Sequence, residues 1–169
     1  MSQSAAEMTG KIPGLLIDDS LSFENAMLRL GYRYWRELAG DREMPDRRDI
    51  VPADLGSCRP HFSLFNVRTD GAGQIELVPR LVSPALQRTH GGIAEDSLHM
   101  VLAPRVLQRW LMMTAQVLMR RAPVRFAGQV EQQDRRYLKF ELLLAPLAEG
   151  TAEIAGLYVI NYFHSTPGK

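Results

Sequence analysis

The stretch that decides the fold is Glu153–Phe163, "EIAGLYVINYF". Read with the two-residue period of an extended chain, it is apolar on both faces. Ile154, Tyr158 and Ile160 share one face; Leu157, Val159 and Phe163 share the other. A strand with one wet face alternates apolar and polar residues. One that is apolar on both faces needs cover on both and belongs in the middle of a sheet.

The preceding segments supply its neighbours. In "VRFAGQVE" (Val124–Glu131), Val124, Phe126, Gly128 and Val130 alternate with Arg125, Ala127, Gln129 and Glu131; in "RYLKFELLL" (Arg136–Leu144), Leu138, Phe140, Leu142 and Leu144 share one face. Further back, "HFSLFNVR" (His61–Arg68) and "QIELVPRLV" (Gln74–Val82) flank the turn "TDGAG" and read as a hairpin. Pro79 lies inside the return strand, and proline in a sheet belongs on an edge. With the five strands numbered along the chain, an order of 2-1-5-4-3 puts the proline strand at the rim and the doubly apolar strand inside.

Helices provide the cover. Pro104 opens a long helix with Val106, Leu107, Trp110, Leu111, Met113, Val117 and Leu118 as apolar positions, ending near Arg120 and Arg121. Between the hairpin and this helix, residues 83–102 lose regular periodicity and read as short helical pieces broken at Gly91 and Gly92. Nearer the start, Ser22 is the expected cap of a helix carrying Phe23, Met27, Leu30, Tyr34 and Leu38, closed by Gly40. A second apolar patch through Ala26, Tyr32 and Trp35 predicts that this helix also touches a partner, with Tyr32 and Trp35 as the contact residues. The linker "GDREMPDRRDIVPADL" (Gly40–Leu55) has two prolines that set its direction, and it reads as a connector. The resulting organisation is a flexible leader (1–19), an N-terminal helix and proline-containing linker (20–58), a sheet core (59–164) and a tail (165–169).

Composition narrows the function. The chain has 169 residues, 46% of them hydrophobic, and 20 Lys and Arg against 19 Asp and Glu, a net charge of +1. That balance gives a globular core and no electrostatic footprint for nucleic acid. The single cysteine, Cys58, has no intrachain disulfide partner. "IPGLLI" is too short for a signal core or a membrane span, so a cytoplasmic protein without membrane insertion is expected. His61, His90, His99 and His164 lack metal-ligand spacing, and no hydrolase elbow, phosphate loop or dinucleotide fingerprint is present. No catalytic residue and no metal ligand is assigned.

The residues also resemble a known family. "YRYWREL" (Tyr32–Leu38), "MPDRRDIVPADL" (Met44–Leu55), "HFSLFNV" (His61–Val67) and "LLLAPLAEG" (Leu142–Gly150) resemble the bacterial single-domain PAS proteins of the PAS_5 type, common in alphaproteobacteria, over about four-fifths of the chain. One segment departs: where the family has an arginine-x-alanine-glycine run, this chain has Arg80, Leu81, Val82 and Ser83, followed by Pro84. The resemblance implies an α+β fold, a PAS-like five-stranded antiparallel sheet with covering helices and an extra N-terminal helix. It also implies a sensory or signalling domain that binds a small molecule, a protein partner or both, and acts through a separate signalling protein, commonly as a homodimer. The expected ligand-binding residues are Arg80, His90, Met100, Trp110, Phe126, Phe140, Tyr158 and Asn161, and no cofactor is assigned. Two alternatives stay open. One is an adaptor with a solid core. The other is a cone-shaped α+β isomerase or dehydratase, which would need a buried carboxylate or histidine in the pocket; Glu131 and Glu141 are expected on outer faces instead.

Overall fold

The computed structural model describes residues 14–90, 98, 102–129 and 138–165. Strand β1 (Leu15–Asp18) leads into helix α1 (Ala26–Ala39). Two 3-10 segments, Arg47–Asp49 and Pro52–His61, carry the chain to the hairpin β2 (Phe62–Thr69) and β3 (Ile75–Leu81). Helices α2 (Pro84–His90) and α3 (Pro104–Arg120) follow, then β4 (Val124–Gln129), β5 (Leu138–Ala148) and β6 (Ile154–Ser165). The strands form one antiparallel sheet in the order β1-β4-β5-β6-β2-β3.

The doubly apolar strand is internal: β6 pairs with β5 on one side and with β2 on the other. The proline strand β3 is at the rim. The five expected strands keep their expected order, but the sheet has a sixth. Leu15–Asp18, expected in a flexible leader, pairs with β4 from Leu15↔Gly128 to Asp18↔Arg125. Four residues carry too little periodicity to announce a strand. Their place comes from the open edge of β4 and from Asp18, whose carboxylate reaches Arg125 at 3.3 Å.

Alternation along the strands creates two cores, one on each face of the sheet. On the face under α2 and α3, Phe65, Leu77, Leu86, Trp110, Val117 and Phe126 pack together. On the opposite face, α1 and the linker cover Phe62, Leu143, Leu147, Tyr158 and Ile160. The sequence places Tyr158 and Ile160 correctly on one face of β6, but this is the α1 face, opposite Trp110, Phe126 and Phe140, with which Tyr158 was expected to line a ligand site. Tyr158 and Phe62 pack with ring centroids 5.2 Å apart on that opposite side.

Helix α1 starts at Asn25, which caps it by accepting the Met27 N–H through Oδ1 at 2.7 Å. The expected cap, Ser22, is instead bound upstream by the Asp18 carboxylate, which accepts its N–H at 3.0 Å. Gly40 ends the helix in a positive-φ conformation, as anticipated. In the middle of the helix Gly31 allows close approach to β6: a Cβ there would lie 2.6 Å from Ile160 Cγ1. At the same place the Tyr158 hydroxyl donates to the Gly31 carbonyl at 2.8 Å. One turn on, Trp35 is 4% exposed and its Nε1–H donates to the Pro146 carbonyl at 3.0 Å. Trp35 is therefore a core residue of its own chain, and its expected role as a partner contact is corrected. Tyr32 is half-buried and stacks on Trp35. The error follows from angular width: α1 has a broad apolar surface because it covers both the sheet and the linker.

The linker is a connector. Ala148 donates to the Pro45 carbonyl at 3.0 Å, and Asp46 bridges to Ala148. The Asp46 carboxylate accepts from Arg48 Nε and from the Gly150 N–H, clipping the linker to the β5–β6 turn. Arg47 reaches across to Asn66 on β2. Hydrogen bonds from Arg48, then from Gly150, hold the Asp46 carboxyl well below the usual carboxylate range.

Two outcomes follow from these contacts. Trp35→Ala is expected to lower unfolding free energy by about 3–5 kcal/mol, with sedimentation showing no change in association state. Unchanged stability with altered association would place Trp35 at a surface after all. Asp46 has a depressed folded-state pKa, so its stabilisation is complete above the unfolded value of about 4 and is lost as pH falls through the folded value. Acid titration of Asp46→Asn should therefore show a shallower loss of stability below about pH 4 than the parent chain. Parallel curves would remove Asp46 from the acid response.

Candidate ligand-binding face

Three buried polar residues meet on the α2–α3 face of the sheet. Ser63 comes from β2, Ser83 from the link between β3 and α2, and Asn161 from β6; each is 2% exposed or less. The Ser83 N–H donates to Ser63 Oγ at 2.9 Å, and Ser83 Oγ donates to Asn161 Oδ1 at 2.8 Å. Ser83 Oγ also accepts the Leu86 N–H at 3.1 Å, at the start of α2. The hydroxyl therefore gives its one proton to the amide oxygen and leaves the amide nitrogen of Asn161 facing elsewhere. Nδ2 of Asn161 is buried and has no hydrogen-bond partner among the described residues. A donor left in this state costs about 1–3 kcal/mol relative to a paired one.

The local sequence explains the trio. Ser83 precedes Pro84, the first residue of α2, which is the serine–proline pattern of a helix start. It lies within the segment where the chain departs from the family pattern. Asn161 is polar within an otherwise apolar strand; it was expected at the site from the family resemblance. Ser63 and Ser83 were missed, because a small hydroxyl gives no period of its own and its partners lie 20 and 78 residues away.

The other expected ligand residues separate. Trp110, Phe126 and Phe140 are on the α2–α3 face, and Trp110 packs against Phe65 with ring centroids 5.7 Å apart. Tyr158 belongs to the opposite face. Arg80 is exposed on the edge strand β3, where its neighbours across the sheet exist on one side only. His90 is the last residue of α2, its side chain lying outside the described part, and Met100 lies outside the described residues.

The α1 face holds a different polar group. Glu141 was expected on an outer face, and that expectation is corrected: it is 1% exposed, because α1 covers the side of the sheet taken as open. Its carboxylate accepts the Glu24 and Asn25 N–H groups, both at 3.0 Å, at the α1 N-terminus. Arg125 donates to it through Nε at 3.1 Å and Nη2 at 2.8 Å. Glu131 lies outside the described residues. An open depression of about 510 Å³ borders this pair, rimmed by Glu24, Lys139 and His164. The carboxylate of Glu141 is occupied by structural donors and has no free geometry for general acid–base work. Cys58 is buried with Sγ 3.2 Å from the Met27 carbonyl, and burial pushes its thiol up, away from thiolate chemistry. His61 packs against Tyr162, and its buried Nδ1 has no hydrogen-bond partner among the described residues.

Among the described residues no helix is long and apolar enough to cross a membrane. No group of three or more His, Cys, Asp or Glu side chains able to hold a metal ion occurs among them. A family model described as a PAS domain, PAS_5, matches residues 24–159. No curated protein matches the chain.

Removing one partner of a buried ion pair strands the other charge. Glu141→Ala should therefore destabilise the fold by about 3–5 kcal/mol in chemical denaturation. A change below about 0.5 kcal/mol, typical of surface sites, would show that Glu141 is not holding Arg125 and α1.

Proposed function

From the chain's membership of the PAS_5 family of PAS domains, over residues 24–159, we propose that this sensory or signalling module takes a small molecule on its α2–α3 face. The observation that carries this reading is the unpartnered Nδ2 of Asn161. A buried amide donor among apolar side chains is the feature a largely apolar ligand site uses for orientation. It fits a ligand with one hydrogen-bond acceptor, a carbonyl, carboxylate or ring nitrogen, and an apolar body to lie against Trp110, Phe126 and Phe140. Ser83 links that donor to the start of α2. Occupancy at Asn161 would thus pull on a helix terminus, and output would pass to a separate signalling protein. A cytoplasmic location belongs to the same reading, supported by the free, buried Cys58.

The adaptor reading has its own support. Phe65, Leu86, Val117 and Phe126 are each 0% exposed, and they close the α2–α3 core with their own side chains. An adaptor needs no ligand.

Native mass spectrometry before and after denaturation separates the two. The ligand reading expects a released small molecule bearing an acceptor, and a clear loss of it from Asn161→Leu, with circular dichroism confirming the fold. Equal loading of both proteins would remove Asn161 from the site. An empty parent protein would favour the adaptor.

A further inference from the structure

The outward face of α1 presents Arg29, Arg33 and Arg36, spaced at i, i+4 and i+7, so they form one stripe about two turns long. Glu37 is the one exposed acid on the helix beside them. Some arginines elsewhere find acids: Arg42 with Asp49, Arg48 with Asp46, Arg121 with Glu43 and Arg125 with Glu141. Arg29 is tied to the Phe23 and Glu24 carbonyls. Arg33 and Arg36 have no ion-pair partner among the described residues. Beside the stripe runs an apolar edge. Leu30 is 39% exposed, and Val51 is 47% exposed, held next to Tyr34 by two hydrogen bonds with its hydroxyl.

We propose that this face docks an acidic amphipathic helix of a separate protein. Its carboxylates would meet Arg33 and Arg36, and its apolar edge would cover Leu30 and Val51. Guanidinium forks donate to carboxylates in bidentate geometry, and three- and four-residue spacing on a partner helix reproduces the spacing here. A second copy of this chain fits poorly. A two-fold axis through α1 sets the same patch against itself, arginine stripe to arginine stripe. An anionic membrane is also a poorer fit. Polybasic lipid sites gather about four to eight cations, and the main apolar face of α1, through Leu28 and Trp35, is already buried against the sheet. This inference rests on the surface of α1 and holds whether or not Asn161 receives a ligand.

The test uses the full chain and a fluorescein-labelled peptide with leucines on one helical face and glutamates flanking them, beside a scrambled peptide of the same composition. Fluorescence anisotropy should show saturable binding of the helical peptide, weakened by high salt. Arg33→Glu should weaken it about tenfold or more, as a central interface arginine does, while Arg68→Glu, an exposed arginine on β2, leaves it within about twofold. Circular dichroism checks that both variants fold. No binding, equal binding of the scrambled peptide, or equal binding by Arg33→Glu would overturn the proposal. Two further results would also overturn it. One is Arg33-dependent binding to phosphatidylcholine–phosphatidylglycerol vesicles in place of the peptide. The other is a parent dimer that Arg33→Glu dissociates.

Discussion

The contact between Gly31 on α1 and the pair Tyr158 and Ile160 on β6 governs the arrangement of the whole molecule. An apolar strand in the centre of a sheet cannot stay wet on either side. Gly31 lets the helix backbone come within reach of Ile160, closer than any side chain would permit. The Tyr158 hydroxyl then meets the Gly31 carbonyl inside the contact. Burial pushes the phenol well above its ordinary range, so the proton stays on the oxygen and the donor is preserved. With α1 seated, Trp35 falls over Pro146, and the linker is drawn to the β5–β6 turn.

This seating divides the polar interior into two kinds of site. On the α1 face, the Arg125 and Glu141 charges are both buried and mutually paired, and the remaining carboxylate capacity is filled by the α1 N-terminus and its own backbone donors. A network satisfied in this way holds β1, β4, β5 and α1 together; it is structural. On the α2–α3 face, the hydroxyl chain from Ser63 through Ser83 to Asn161 ends in a donor without an acceptor. The low dielectric that strengthens the first network raises the cost of the second. The α2–α3 face thus keeps a buried amide donor whose demand is unmet among the described residues.

Much of the fold was legible along the chain. Double apolarity marked β6 as central, Pro79 marked β3 as an edge, Pro104 opened α3 and Gly40 closed α1. Each signal is local: a period of two, a missing N–H, a positive φ. The candidate site was legible in part. Of the expected ligand residues, Trp110, Phe126 and Phe140 fall on the α2–α3 face, while Tyr158 does not. Ser83 lay in plain view before Pro84, yet its importance depends on Asn161, 78 residues away.

Local chemistry, then, sorted residues onto faces and elements into order, because periodicity and backbone restrictions act over a few neighbouring positions. It left open which face α1 would take. That choice moved Tyr158 away from the expected ligand side, buried Glu141 and turned Trp35 inward. Leu15–Asp18 also joined as a sixth strand against β4. Those outcomes depend on close approach at Gly31 and on ion pairing across distant strands, and no stretch of chain carries such contacts until folding brings its parts together.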